Sequence, residues 1–276
     1  MNVLISVDME GVSGLVHPSE TNPGRQDYER GRALMTAEAN AVVAGVLDAE
    51  PTADILVADA HGTFRNILPD QLDRRARLVR GKPRPMGMLA GLDADTDAVL
   101  LVGYHARAGA GPGVLAHTMS DDILDVRVAG RSLGEIGLNA ALAGHLGVPV
   151  VLLSGDDAAC AEFEELVPAA VTVAVKEALA AAAAVTLHPE EARARLRAGA
   201  AEAIGRRAGV APLALSGPPL AVEVDLYSPV SVDLALLIPG VARAGGGRTV
   251  TFAAADFAEA YRLVLLLVQL ASIKPA

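Results

Sequence analysis

The stretch Val3-Leu4-Ile5-Ser6-Val7-Asp8-Met9-Glu10 opens the chain with a short apolar run that ends at two acidic residues. The run is nearly continuous in apolar residues, which is typical of a strand buried on both faces of a parallel sheet. Asp8 and Glu10 stand two positions apart just beyond it, so both side chains point to the same side if the extended backbone continues. The stretch therefore predicts a buried strand whose end carries two carboxylates.

Four further apolar runs follow, and alanine-rich stretches of helical character separate them as far as Lys176. Strands that alternate with helices are typical of an α/β fold, in which a mostly parallel sheet is flanked by helices in three layers. The sequence predicts this fold class, with strands at residues 3–7, 54–58, 98–103, 149–154 and 171–175.

Polar side chains stand where these predicted strands end. Asp8 and Glu10 follow the first strand. The later strands are followed by Asp59 and His61 (second), Tyr104 and His105 (third), Asp156 and Asp157 (fourth) and Lys176 (fifth). In open α/β sheets, ligands bind beyond the carboxyl ends of the strands, so these groups are expected to share one rim.

A change in amino-acid composition after Val210 predicts two structural units in the chain. APLALSGPPL (residues 211–220) is rich in proline and glycine, which indicates a linker or a long connection. The prediction is a main α/β metal-binding domain at residues 1–210, with a smaller C-terminal α+β unit at residues 211–276 packed on it.

Further elements are predicted on both sides of that boundary. They are an extra strand at residues 123–128, a helix at 133–146 with Glu135 in its first turn, a helix at 178–184 in an alanine run, strands at 220–226 and 248–253, and a helix at 256–273 with Asp256 as its N-cap. The last helix is apolar on nearly every face, so it is expected in the core or at a subunit interface.

Composition excludes several classes of protein. A net charge of -10, with four Phe, four Tyr and no Trp, predicts neither a basic patch nor stacking platforms for nucleic acid. No apolar run is long enough to cross a membrane, and the first residues do not read as a secretory signal, so a cytoplasmic location is expected. The single cysteine, Cys160, excludes an intrachain disulfide and is expected to be a passive small residue.

His61 and His105 strengthen the case for a metal site on the predicted rim. Imidazole together with carboxylate suits zinc and related transition metals, although either histidine alone would usually be structural. Asp59 is open to two interpretations, because it could orient an imidazole or cap a loop.

Three other residues stay ambiguous on spacing alone. His117 lies in the glycine-rich segment GAGPGVLAHTMS (residues 109–120), where a catalytic histidine and a histidine ordered by loop packing are both plausible. Glu135 could be a metal ligand, or it could stand in the first turn of a helix only because the helix dipole favours an acidic residue there. Lys176 could meet a substrate carboxylate or an oxyanion, or be solvated.

Other signals are weak or absent. His17, His145 and His188 are interpreted as structural or exposed. The sequence has no G-x-x-x-x-G-K-[ST] loop, G-x-S-x-G elbow or H-E-x-x-H helix, which argues against the common nucleotide hydrolases, serine hydrolases and zincins.

Read as one motif, Ser6-Val7-Asp8-Met9-Glu10-Gly11 resembles the S-x-D-x-E-G pattern of the DppA-type D-aminopeptidases, the M55 family of metallopeptidases. The resemblance continues over most of the chain, through Asp27-Tyr28-Glu29-Arg30-Gly31-Arg32, Asp59-Ala60-His61, Gly103-Tyr104-His105-Ala106-Arg107, Pro112-Gly113-Val114 with His117, Gly134-Glu135-Ile136-Gly137-Leu138-Asn139, Gly155-Asp156-Asp157 and Ala174-Val175-Lys176.

This resemblance implies a site and an activity. The implied site holds two Zn²⁺ per chain, with Asp8 bridging them, Glu10 and His61 on one metal, and His105 and Glu135 on the other; the implied catalytic residue is His117. The implied activity is hydrolysis of N-terminal D-amino acids from short peptides or amino-acid amides, in a homo-oligomer that forms a decameric ring.

Departures from the family lie at residues 15–26 and 64–84, which leaves the substrate open. Two alternatives also remain: a di-metal hydrolase that acts on a phosphoester or cyclic amide, and a non-enzymatic peptide-binding protein of an uptake system. Bound metal would argue against the binding protein, and substrate profiling would separate the hydrolases.

Overall fold

The fold contains two sheets and seven α-helices among the residues that a computed structural model describes, which are 1–215, 217 and 219–273. In chain order the elements are β1 (Asn2–Val7), α1 (Pro18–Thr21), α2 (Tyr28–Ala49), β2 (Asp54–Asp59), β3 (Ala76–Val79), β4 (Ala98–Tyr104), β5 (Ile123–Val128), β6 (Arg131–Ser132), α3 (Glu135–His145), β7 (Val150–Asp156), α4 (Asp157–Leu166), β8 (Val171–Ala180), β9 (Ala183–Thr186), α5 (Pro189–Arg206), β10 (Leu220–Leu226), α6 (Pro229–Ala235), β11 (Ala242–Ala244), β12 (Thr249–Ala254) and α7 (Phe257–Ala271).

The larger sheet has seven strands in the order β3-β2-β1-β4-β7-β8-β9. All neighbouring pairs are parallel except β8 and β9. Helices α2 and α5 pack on each other and on this sheet, and α3 and α4 form a second helical pair against it. The predicted α/β fold, mostly parallel and flanked by helices, is confirmed.

The buried strands were the easiest elements to predict. The five predicted sheet strands correspond to β1, β2, β4, β7 and β8. Every residue of β4 and β7 is buried, which explains their continuous apolar sequences. The edge strand β3 was not predicted, because its four residues are only partly buried or exposed. It contains Arg77, and Arg80 follows it directly, so the segment does not form an apolar run.

The second sheet has five antiparallel strands in the order β11-β12-β10-β5-β6. It therefore joins three strands from the C-terminal part of the chain to the hairpin of β5 and β6. The predicted strands at residues 123–128, 220–226 and 248–253 correspond to β5, β10 and β12. The division at residue 210 stays a prediction, and residues 216, 218 and 274–276 of the predicted linker and C-terminal unit lie outside the described residues.

Helix α7 packs against α3, α6 and the second sheet. The side chain of Asp256 accepts a hydrogen bond from the backbone N–H of Glu259, which confirms the predicted N-cap. The buried face of α7 includes Tyr261, Val264 and Leu267, whereas Leu266 is exposed. No helix in the described ranges is both long and apolar enough to cross a membrane.

The prediction of a helix at residues 178–184 is wrong. This alanine run forms the end of β8, a turn and the start of β9, with Glu177 paired to Val185 and Ala178 to Ala184. Alanine favours a helix in isolation, but pairing β8 with β7 extends the sheet and the hairpin continues that pairing. Tertiary pairing therefore overrides the local propensity.

Candidate metal centre

The carboxyl ends of three adjacent strands bring the first site residues together. Strand β1 lies between β2 and β4, and its last residue, Val7, pairs with Asp59 on one side and Val102 on the other. Asp8 follows β1, His61 follows β2 by two residues, and His105 follows β4 directly. The segments that follow β1, β2 and β4 thus place these side chains at one rim of the sheet, as predicted.

The loop after β1 lies unusually close to the end of β4. The backbone N–H of Asp8 donates to the carbonyl of Val102, and that of Gly11 donates to the carbonyl of Gly103, both at 2.8 Å. A Cβ atom on Gly11 would lie 1.9 Å from the carbonyl oxygen of Tyr104, so only glycine fits there. The glycine of the S-x-D-x-E-G motif therefore allows the two carboxylates to approach His105.

Asp8 lies between two imidazoles. Its Oδ1 is 3.2 Å from His61 Nδ1, and its Oδ2 is 3.5 Å from His105 Nε2. Glu10 Oε2 lies 2.9 Å from His61 Nδ1, and Glu135 Oε1 lies 3.4 Å from His105 Nε2. All five side chains are buried, and their mutual contacts join them in one cluster.

Glu135 and His117 complete one end of this cluster. Glu135 is the first residue of α3, and its Oε1 accepts a hydrogen bond of 2.6 Å from the backbone N–H of Met119. His117 Nε2 lies 3.6 Å from the same oxygen, and the His117 ring stacks on His105 with centroids 4.0 Å apart. The structure therefore brings all six predicted site residues together.

Each of the three imidazoles also contacts a backbone carbonyl through its outer nitrogen. His61 Nε2 lies 2.9 Å from the oxygen of Thr21, His105 Nδ1 lies 3.0 Å from that of Ala106, and His117 Nδ1 lies 2.8 Å from that of Leu115. A carbonyl can only accept, so the outer nitrogens donate and a neutral ring keeps its inner nitrogen free for a ligand. Metal-binding histidines commonly have this arrangement.

The spacing and chemistry of these groups fit zinc. Ligand atoms bound to one zinc ion at about 2.0 to 2.1 Å in a tetrahedron lie roughly 3.3 Å apart. The contacts of Asp8 with His61 and His105 and of Glu135 with His105 measure 3.2 to 3.5 Å. His105 Nε2 is buried without a hydrogen-bond partner, which leaves it available to a metal.

The pKa values of the site residues are set by burial and by neighbouring charges, which act in opposite directions on the histidines. Burial and the charge of Glu10 raise the pKa of Asp8 to about 7. Burial would lower the pKa of His105, but Glu135 and Asp8 outweigh it and raise that pKa to about 10. Burial likewise opposes the charge on His61, yet Glu10 and Asp8 raise its pKa well above the usual range. Protonated imidazoles therefore balance the carboxylates when no metal is bound.

Asp59 has the loop-capping role rather than the orienting one. Its carboxylate accepts hydrogen bonds from the backbone N–H groups of Asn66 and Ile67 and from the side chain of Asn66. The Asn66 amide also donates to the carbonyl of His61. Asp59 thus fixes the loop that carries His61 without touching its ring.

The prediction that Lys176 meets substrate or solvent is wrong. Lys176 lies inside β8 and is buried, and its ammonium donates to the backbone carbonyls of Glu10, Val12 and Leu15. Burial lowers the pKa of Lys176 to about 8. Lys176 therefore holds the loop that carries Glu10. The sequence could not reveal this role, because the three partners are distant along the chain.

A buried polar network beneath the site was not predicted. Ser6 Oγ lies 2.7 Å from the hydroxyl of Tyr104, which accepts a hydrogen bond from the Asn139 amide. Tyr261 of α7 donates to Asn139 Oδ1 at 2.9 Å. The only sequence signal was a set of polar residues inside apolar stretches, which does not show which of them meet.

A cavity of about 1180 Å³ is lined by five of the six site residues, all except His105. Its other walls come from the α1 region, residues 62–64, 82–84, 115–116 and 119–121, the β8–β9 turn and α7. Phe64, Leu115 and Met119 line it with positive φ angles of 54° to 62°, which are unfavourable for residues other than glycine. Such strained backbone is common at functional sites.

The weak candidates match their predicted structural roles. His17 and His188 cap the N-termini of α1 and α5, and His145 is exposed at the end of α3. Cys160 is buried, and burial raises the pKa of its thiol, so it is not an activated nucleophile.

Comparison with known proteins finds matches that cover nearly the whole chain. The peptidase M55 family model, described as D-aminopeptidase, matches residues 1–266. A D-aminopeptidase of Bacillus subtilis (strain 168) is 38% identical over 272 residues, which cover 98% of each chain. The structure of the Zn-dependent D-aminopeptidase DppA from Bacillus subtilis, a self-compartmentalizing protease, matches with a TM-score of 0.96 and 36% identity over 100% of both chains.

Proposed function

The chain belongs to the M55 family of D-aminopeptidases, and we propose that it removes N-terminal D-amino acids from short peptides or amides at a dinuclear zinc site. The observation that supports this most directly is the position of Asp8, whose two carboxylate oxygens face two different imidazoles. A carboxylate placed in this way suits a ligand shared by two metal ions.

The proposed ligands divide into two sets around Asp8. Glu10 and His61 would serve one ion, because His61 Nδ1 contacts both Glu10 Oε2 and Asp8 Oδ1. His105 and Glu135 would serve the other. Zinc is favoured by this mixture of imidazole and carboxylate, and by the zinc dependence of the B. subtilis relative.

When bound, two zinc ions would supply the Lewis acidity that activates a water molecule and polarises the scissile carbonyl. No side-chain nucleophile is then needed. Glu135 and the stacked ring of His105 hold His117 in place, and its Nδ1 bond to Leu115 fixes the ring. His117 Nε2 would transfer a proton or donate a hydrogen bond to the developing oxyanion.

The cavity favours a small substrate, and the B. subtilis relative favours an assembled enzyme. Its volume of about 1180 Å³ is sufficient for a short peptide. We propose a homo-oligomer, with a decameric ring as the expected form, because the B. subtilis relative is a self-compartmentalizing protease. A cytoplasmic location is proposed with it. The exposed apolar side chains of Leu179, Val185 and Leu237 offer surface for such contacts.

The test combines metal content with stereochemistry. The protein is purified without chelators, zinc per chain is counted by elemental analysis, and paired D- and L-aminoacyl amides and peptides are assayed. About two zinc per chain and release of D-residues only would support the proposal. Asp8→Ala should lose both ions, because it removes the shared ligand.

Other outcomes would assign another function. Two metals without amide cleavage would keep the site and favour a hydrolase for phosphoesters or cyclic amides. If the protein binds peptides but no metal, the result would support the alternative of a non-enzymatic peptide-binding protein.

A further inference from the structure

Lys82 is a cation without an anion on the wall of the active-site cavity. It is exposed and lines the same cavity as Asp8, Glu10 and Glu135. Among the described residues its ammonium has no hydrogen-bond or ion-pair partner, and it lies over the Phe64 ring at 5.6 Å from the centroid. Its three donors are therefore free to bind a ligand.

The neighbouring cation, Arg84, is already engaged. Its guanidinium donates to the backbone carbonyls of Asp59, Val79 and Gly87. The guanidinium also lies 4.1 Å from the centroid of the Phe64 ring, so two cationic side chains, Lys82 and Arg84, lie over this ring. Arg84 thus adds positive potential near Lys82 while keeping its own hydrogen bonds within the protein.

The conformation of Phe64 indicates a built surface. Phe64 has a φ of 58°, its N–H donates to the carbonyl of His61 at 2.7 Å, and its own carbonyl accepts a hydrogen bond from Gly81. These contacts tie the ring to both the His61 loop and the segment that precedes Lys82. A strained residue held on a cavity wall by such contacts is consistent with a role in ligand binding.

The charges of the cavity are therefore polarised. Of the four carboxylates in the lining, those of Asp8, Glu10 and Glu135 gather at the proposed metal end, where the scissile bond would lie, and the fourth belongs to Asp121. The uncommitted ammonium of Lys82 stands on the wall formed by residues 62–64 and 82–84. A short peptide has a matching polarity, because its N-terminal residue must reach the metals while its C-terminal carboxylate needs a cation.

We propose that Lys82 binds the C-terminal carboxylate of the substrate, so that the enzyme prefers short peptides with a free carboxyl group over the corresponding amides. This inference rests on the proposed aminopeptidase function and specifies its substrate class. A neutral C-terminal amide would leave the ammonium without its charge partner.

The test compares Lys82→Met with wild type on matched pairs of substrates. Di-, tri- and tetrapeptides with an N-terminal D-residue are assayed as free acids and as C-terminal amides. For the length that spans the cavity, wild type should favour the acid by about tenfold or more in KM, and Lys82→Met should lose that preference because its KM for the acid rises toward that for the amide. Lys82→Arg should restore most of it.

Arg80→Met is the matched control, because it removes one exposed positive charge from the same segment without lining the cavity. It should retain the preference for the acid. Isothermal titration of a peptide analogue with a reduced scissile bond, again as acid and amide, gives a readout independent of turnover. Its affinity difference should vanish in Lys82→Met.

The outcomes separate this inference from the proposed function. Cleavage of acids and amides with equal KM by wild type at every length would overturn the role of Lys82 but keep the aminopeptidase. An equal loss in Arg80→Met would also overturn it, since general charge would then explain the effect. Absence of metal-dependent cleavage of any D-peptide would instead reject the proposed function.

Discussion

At the scale of single residues, His117 is held on three sides. Its Nδ1 contacts the carbonyl of Leu115, its Nε2 lies 3.6 Å from Glu135, and its ring stacks on His105. Ligand atoms of His117, His105 and Glu135 all lie within 4.8 Å of one another. The geometry thus allows two roles, proton transfer or a further metal ligand, and zinc content separates them.

His117→Gln should keep both zinc ions and lose activity. Loss of a group that transfers a proton costs typically 10² to 10⁴ in kcat, so a fall within that range is expected. Zinc per chain is counted by elemental analysis and kcat is measured on the same sample.

His145→Gln serves as its control, because His145 is exposed at the end of α3. It should match wild type in both measurements. Loss of one zinc ion from His117→Gln would show instead that His117 is a ligand.

The pH dependence of zinc binding follows from the protons that the metal must displace. His105, with a pKa of about 10, holds its proton in the metal-free protein at neutral pH, and Asp8 gains one below its pKa of about 7. Above pH 7 binding should release imidazole protons only, and below pH 7 it should release one more. The slope of log affinity against pH should therefore steepen by about one unit as pH falls through 7.

Competition with a chelator of known proton affinity measures this slope between pH 6 and 8.5. Calorimetry in buffers of different ionisation enthalpy counts the released protons independently. A constant slope across the range would show that Asp8 does not titrate near neutral pH.

At the scale of elements, the loop between β1 and α1 depends on a strand on the other side of β4. Lys176 reaches from β8 to the carbonyls of Glu10, Val12 and Leu15, and Glu38 of α2 accepts from the backbone N–H of Ser13. Both groups are buried. The loop that presents Glu10 is thus fixed by side chains from two distant elements.

Lys176→Ala should weaken zinc binding and lower stability. Three buried carbonyls would lose their donor, which costs on the order of 3 kcal/mol in the free energy of unfolding. Zinc affinity is expected to fall about tenfold, because Glu10 loses the side chain that holds its loop. Denaturant unfolding and chelator competition measure the two effects.

The cavity left by this substitution offers a specific check. Methylammonium can donate to the same carbonyls and should restore part of the zinc affinity, whereas tetramethylammonium has no N–H donor and should not. Equal effects of the two cations would mean that Lys176 acts through general packing.

How much of each element could be predicted depends on where its stabilisation originates. The buried strands and the capped helix α7 were predicted because their own residues determine them. The hairpin of β8 and β9 was not, because its alanines favour a helix and only the adjacent strand β7 reverses that preference. The role of Lys176 was missed for a similar reason, since its three partners lie more than 160 residues away.

At the scale of the whole molecule, the site residues were predictable while their support was not. Asp8, Glu10, His61 and His105 follow strands that apolar sequence patterns mark, whereas Glu135 was assigned only through the family resemblance. The polar network beneath them joins Ser6 of β1, Tyr104 of β4, Asn139 of α3 and Tyr261 of α7. Contacts across such distances depend on how layers pack, which no local pattern contains.

This network couples the C-terminal helix to the metal centre. Ser6 precedes Asp8 by two residues, and Asn139 follows Glu135 by one helical turn on α3. Helix α7 also lines the cavity through Leu265, Leu266, Val268 and Gln269, so its placement affects both the ligands and the substrate wall.

Tyr261→Phe should therefore lower stability and alter the site without removing a ligand. Loss of its hydrogen bond leaves Asn139 Oδ1 unsatisfied in the core, which costs about 1 to 2 kcal/mol and lowers Tm by several degrees. Zinc content should stay unchanged, while KM rises because α7 is less firmly held. Tyr227→Phe is the matched control, since Tyr227 is exposed and should change neither value. If Tyr261→Phe and Tyr227→Phe both behave like wild type in thermal unfolding and in KM, the proposed coupling between α7 and the metal centre is wrong.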